Sequence, residues 1–248
     1  MLLDPVTTGY VATAAMGAAV VGAVGGFGTG VVLTAVLVPL IGFKAVVPVM
    51  AIAGVLINGG RYWFYRDSTD WKAVGRVLAG SLPMLVLGVW LYSLLEARVI
   101  GLVLGGFVIA SVPLRRWAKR QSLRVGPAGL VAGAGVFGLA SGVATGTGVI
   151  LVSLLLGAGY AGTAVLAIDA MASILVDIAK ALLFGKFDLL DAPSATLGVI
   201  IGIATFPGSA LGAWLVKRMG ATMHVLAMEA LILVGGGSLL WHALAGKS

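Results

Sequence analysis

An apolar run over about residues 6 to 43, broken only by Gly25-Gly26-Phe27-Gly28-Thr29-Gly30, constrains this chain more than any other stretch. As one helix it would reach roughly 55 Å, against a hydrocarbon core of roughly 30 Å. It must bend, tilt steeply or fold back. Glycine costs a helix roughly 1 kcal/mol relative to alanine, and backbone groups freed at a break cannot stay unsatisfied in lipid. A near copy, Gly142-Val143-Ala144-Thr145-Gly146-Thr147-Gly148, interrupts a second long apolar run about 118 residues later. Breaks at matching places in two apolar halves point to a solute site near the membrane midplane, and so to a transporter.

Composition agrees. Of 248 residues, 60% are hydrophobic and only 10% charged, with a mean hydropathy of +1.12. A soluble domain is nearer half apolar and a quarter charged. The net charge of +7 sits in short loops between apolar runs, as the positive-inside rule produces, and no basic stripe on a soluble face suggests nucleic acid. Without cysteine, disulfides, thiolate chemistry and the usual zinc sites are excluded. Met1-Leu2-Leu3-Asp4 carries an acid and no base, a poor start for a cleaved signal peptide, so the whole chain is expected to be mature.

The expected fold is an all-α polytopic membrane protein of about eight apolar segments. They form two homologous four-segment repeats, the first segment of each broken at glycines. Residues 1–114 make the first repeat, 115–125 a basic cytoplasmic linker with five basic residues and no acid, and 126–248 the second repeat. The repeat is visible in residues: Gly28-Thr29-Gly30-Val31 matches Gly146-Thr147-Gly148-Val149. Likewise Pro83, Leu87, Gly88, Trp90 and Leu91 match Pro207, Leu211, Gly212, Trp214 and Leu215. If all eight runs simply cross, Lys and Arg divide about 12 to 4 with both termini inside. If each broken run folds back as a V, the halves are inverted and the division is about 11 to 5 with both termini outside. Charge cannot separate these. The excess length of the broken runs favours the inverted arrangement.

The two-half layout, the broken first segments and the Arg66-Asp67-x-x-Asp70-Trp71 after the second segment resemble the TauE/SafE family of membrane permeases for sulfite, sulfoacetate and related organosulfonates. The likeness departs at Ala35 and Ser153, where members usually carry proline, and at Asp169-Ala170, where a Thr-Ser pair is common. The resemblance implies an inner-membrane, multi-pass secondary carrier of a small sulfur anion.

Candidate site residues follow from chemistry. At the breaks, Gly28, Thr29, Gly30, Thr145, Gly146, Thr147 and Gly148 would offer helix N-termini and hydroxyls to an oxyanion. The alternative use of these glycines is tight helix packing. The sixth segment carries Asp169, Ser173, Asp177 and Lys180 on one helical face. Asp177 and Lys180 either neutralise each other or leave Lys180 to the anion and a carboxylate to a coupling proton. Asp169 has no base within a helical turn of its own segment. Asn58 and Arg61 on the second segment are further anion ligands, with snorkelling to the interface as the other reading of Arg61. Glu229 and His224 are candidate proton carriers. Phe27, Phe206, Trp90 and Trp214 either line a pocket for an aryl group or serve as core and belt, while Trp63, Trp71, Trp117 and Trp241 look interfacial.

No cofactor or metal is expected, and no enzyme signature is present. The chain has no Walker motif, no H-E-x-x-H and only two histidines. It also lacks the filter and sensor motifs of cation channels. The expected partners are a small anion (sulfite, an alkyl- or arylsulfonate) and membrane lipid, with a homodimer left open. The rivals are an anion channel, a carrier of a non-sulfur anion such as a carboxylate, and a membrane-embedded enzyme or assembly subunit.

Overall fold

The computed structural model describes residues 5–22, 28–120, 124–216 and 221–245. These residues are helical throughout, apart from short connections: α1 (Pro5–Gly22), α2 (Gly28–Ile41), α3 (Phe43–Tyr65), α4 (Trp71–Leu94), α5 (Ala97–Arg120), α6 (Pro127–Val143), α7 (Gly148–Gly157), α8 (Thr163–Lys186), α9 (Ala192–Val216) and α10 (Ala221–Leu244). Among the described residues there is no strand. Three stretches, Phe43–Ser68, Trp71–Leu94 and Ala192–Leu211, are long and apolar enough to cross a membrane. α8 has the length but holds Asp169, Asp177 and Lys180 within it.

Local chemistry explains the boundaries. Gly42, at φ 77°, takes the left-handed turn that lets α3 start one residue after α2 ends. Asp70 caps α4, accepting from the backbone N–H of Lys72 and Ala73. Asp191 plays the same part for α9, accepting from Ser194 N at 2.9 Å. α5 continues to Arg120, into the basic stretch 115–125. Gly142, counted in the sequence with the second break, instead lies inside α6.

α4 packs on α6, α1 on α9, α3 on α8 and α5 on α10, with further contacts between α3 and α9 and between α4 and α8. The tightest seams run over glycine. A Cβ at Gly142 would lie 2.7 Å from the backbone of Gly88 and Val89, an approach only small residues permit.

Hydrogen bonds between connections sort them onto two faces. Ser68 Oγ lies 2.9 Å from Thr163 Oγ1, and Tyr160 donates to Asp70 at 2.7 Å. Val125 N donates to the Gly157 carbonyl at 2.8 Å. Residues 66–70, 124–126 and 157–163 therefore share one face, the first face. Tyr92 reaches the carbonyls of Phe43 and Lys44 from the other end of the bundle, so the start of α3 and the end of α4 lie on the second face. Helices α6 and α7 form a hairpin that both starts and ends on the first face.

Candidate functional site

α3 and α8 run in opposite directions against each other, and between them lies a cavity of about 720 Å³. Its lining includes Phe64 and Tyr65 from the last turn of α3 but no residue from the last turn of α8. Among the described residues the lining reaches the first face along α3 and stops at Lys180, short of the second face, along α8.

A continuous polar chain crosses the cavity. The Arg61 guanidinium pairs with the Asp169 carboxylate. Arg61 Nη1 also donates to Asn58 Oδ1 at 3.4 Å. Asn58 Nδ2 donates to Asp177 Oδ2 at 3.3 Å, and Lys180 Nζ meets Asp177 Oδ1 at 2.8 Å. Asp169, without a base within a turn of its own helix, thus takes its partner from α3. The Arg61 head turns into the protein, where snorkelling would have sent it to the interface. Of the two readings of Asp177 and Lys180, the ion pair is the one adopted. Two carboxylates face one guanidinium and one ammonium, so the chain is balanced in charge. Asp177 is held by Lys180 and Asn58, whereas Asp169 Oδ1 is buried with no hydrogen-bond partner among the described residues.

Two glycines make room for this arrangement. A Cβ at Gly54 would run into the Asp177 carboxylate, and one at Gly60 would lie 2.9 Å from the Phe206 ring. Gly54 lets the carboxylate seat against α3, and Gly60 is the notch in which Phe206 forms part of the wall.

Opposite the polar chain sit Thr29 and Gly30 at the start of α2, and Thr145 to Gly148 at the start of α7. Gly146 takes φ 75° and lies beside α2: a Cβ on Gly30 would stand 3.5 Å from its nitrogen. Thr147 precedes α7 without capping it through its side chain; Ile150 N donates to the Thr147 carbonyl at 2.9 Å, and Gly148, the first residue of α7, lines the cavity. Two hydroxyl pairs brace the region. Thr34 Oγ1 lies 2.5 Å from Thr145 Oγ1 and donates to the Gly30 carbonyl, so Thr145 is the donor between them. Ser141 Oγ and Thr147 Oγ1 are 2.7 Å apart. Whichever of these donates, the other's proton is left to the cavity.

Gly28 opens α2, and its surroundings lie outside the described residues. Phe27 lies outside the described residues, as do the side chains of His224, Glu229 and Trp214. Phe206 lines the cavity, whereas Trp90 is exposed on the outside of the bundle. Sequence reasoning passed over Met50, Gly54, Phe137, Ser141 and Thr205, which also line the cavity. One signal for the wall was readable. Asn58-x-x-Arg61 recurs as Asp177-x-x-Lys180 at a separation of 119, inside flanks that match as Val49 with Ile168, Ala53 with Ala172 and Leu56 with Leu175.

Among known proteins, the sequence model of a family described as Sulfite exporter TauE/SafE matches residues 11–239. No curated protein and no solved structure matches the chain.

Proposed function

The chain belongs to the Sulfite exporter TauE/SafE family, and from that premise we propose that it is a secondary carrier that holds a small sulfur anion in the α3–α8 cavity. As a family member with long apolar helices it is a multi-pass membrane transporter. The finer assignment is our reading. The substrate is sulfite or an organosulfonate, an arylsulfonate included, and the membrane is the inner one.

The observation that carries this reading is the wall of helix starts. The positive end of the α7 dipole suits an oxyanion without a formal charge to trap it. Thr29 and one hydroxyl of the Ser141–Thr147 pair add donors, and Arg61 and Lys180 flank the space. Met50, Leu56, Ile57, Phe137 and Phe206 give room for an apolar or aryl tail.

Charge balance suggests the coupling ion. An anion entering a neutral, buried polar chain leaves an uncompensated charge in a medium where that is costly. A proton on Asp169 removes it, and Asp169 is better placed to accept one than Asp177, which keeps two donors of its own. We read the chain as two inverted halves, α1–α5 and α6–α10. Every major packing pair has its counterpart under that exchange: α4 on α6 with α9 on α1, and α3 on α9 with α8 on α4. The Asp70 and Asp191 caps follow the same rule.

Binding of sulfite, sulfate, sulfoacetate, taurine, benzenesulfonate and acetate to purified protein tests the assignment through thermal stabilisation at several pH values. A ligand of the native state present at a hundred times its Kd should stabilise by about 2.7 kcal/mol. One or more sulfonates or sulfite should do so, with the effect lost in Thr29→Ala/Thr147→Ala. In Asp169→Asn the effect should persist but lose its pH dependence. Stabilisation by acetate alone, with no response to any sulfur anion, would replace the sulfur assignment with a carboxylate.

A further inference from the structure

We propose that the Lys180–Phe184 end of α8 is the second mouth of the same anion site, closed here and latched by Tyr92. The inference rests on the carrier reading above and adds to it where the anion leaves.

The repeat supplies the premise. Aligned at the separation of 119, Arg61 matches Lys180, Phe64 matches Leu183 and Tyr65 matches Phe184. Because α3 and α8 run in opposite directions, these matched residues lie toward opposite faces. Equivalent sequence is then found in two environments. Arg61 is 23% exposed at its side chain and lines the open cavity with Phe64 and Tyr65. Lys180 is 6% exposed, and Phe184 is fully buried outside the cavity. One pattern held open at one end and shut at the other is what a single conformer of an inverted-repeat carrier presents.

The closed end has a built lock. The Phe184 ring meets Tyr92 edge-on at 5.2 Å between centroids. Tyr92 Oη in turn lies 3.0 Å from the Phe43 carbonyl and 3.2 Å from that of Lys44. Lys44 has a carbonyl to spare because its helical donor would be residue 48, which is Pro48 and has no N–H. Tyr92 of α4 thereby ties α8 to the first turn of α3, across the line along which a second mouth would part. The side chains inward of the lock, Lys180 and Asp177, are those that would meet a sulfur oxyanion on that route.

The chain lacks cysteine, so a single introduced thiol reports alone. Leu183→Cys and Phe64→Cys would each be labelled with a membrane-impermeant maleimide in right-side-out and inverted membrane vesicles. Phe64→Cys should react fast from one side. Leu183→Cys should react slowly, and from the opposite side. Adding Tyr92→Phe, which keeps the ring and removes the hydroxyl, should speed Leu183→Cys labelling about five-fold, the shift expected from losing one buried hydrogen bond. Phe184→Leu, which keeps bulk and loses the edge contact, should act in the same direction. Sodium sulfite or benzenesulfonate should move the two labelling rates in opposite senses. Unchanged Leu183→Cys labelling in both lock variants, or labelling of both thiols from one side, would overturn the second mouth. The lock variants need no ligand. Faster labelling in them without any response to sulfite or benzenesulfonate would keep the second mouth and sink the sulfur assignment instead.

Discussion

Asp70 shows how much one carboxylate can hold. Oδ1 accepts from Lys72 N at 2.8 Å and Ala73 N at 3.2 Å, and Oδ2 accepts from the Tyr160 hydroxyl at 2.7 Å. The Tyr160 bond foremost, then the Ala73 N–H, holds its carboxyl below the usual range. Partial burial foremost, then the bond to Asp70, raises Tyr160. A depressed carboxylate contributes stability that is present above its unfolded value of about 3.9 and lost as pH falls through the lower folded value. Asp70→Ala should therefore cost about 1 kcal/mol at neutral pH. Thermal unfolding in detergent should show that deficit unchanged down to about pH 5 and shrinking only below about pH 4. A deficit that vanishes already at pH 6 would refute the cap. The motif Arg66-Asp67-x-x-Asp70-Trp71 was legible as a family likeness, and the structure gives it a local cause: a helix end, a 3-10 turn and a cap. The Arg61–Asp169 pair was not legible, since the partners lie 108 residues apart and only packing of α3 on α8 joins them. Each residue was readable as a buried charge, but its partner was not.

At the scale of elements, the glycines divide into kinds that composition does not distinguish. Gly146 serves a turn, Gly54 and Gly60 leave notches for side chains, and Gly80, Gly88, Gly138 and Gly142 let α4 and α6 touch along their backbones. Sequence reasoning saw the clusters and assigned Gly142 to the break, because a glycine at a seam and a glycine at a break look alike before the neighbour is known. The difference is measurable. Gly142→Ala sets a methyl against the Gly88 backbone, which cannot rotate away, and should destabilise by about 1–3 kcal/mol. Gly106→Ala, in α5 with nothing within 4 Å of its Cβ position, should be neutral or stabilise by up to about 1 kcal/mol. Thermal unfolding of the two variants side by side checks this, and equal behaviour would remove the seam argument.

At the scale of the whole molecule, the hydrogen bond between Val125 N and the Gly157 carbonyl carries the most weight. A broken run that simply crossed would put those two residues on opposite sides of a hydrocarbon core of roughly 30 Å. Held 2.8 Å apart, they place α6 and α7 as a hairpin with both ends on the face of residues 66–70 and 157–163. Counting Lys and Arg could not choose between eight crossings and two inverted halves, because both divisions favour one side. The contact between the two ends of the second broken run bears on that choice, and no periodicity encodes it. Single cysteines at Arg124, Gly159, Glu96 and Asp188 turn the contact into a topology test. With the hairpin, Arg124→Cys and Gly159→Cys should react with an impermeant reagent from the same side, which the positive-inside rule makes cytoplasmic. Glu96→Cys and Asp188→Cys should react from the other side. Eight simple crossings would split Arg124 from Gly159. That result would also remove the inverted halves, and with them the expectation that an anion bound at the α2 and α7 starts can reach either side of the membrane by exchanging the roles of Arg61 and Lys180.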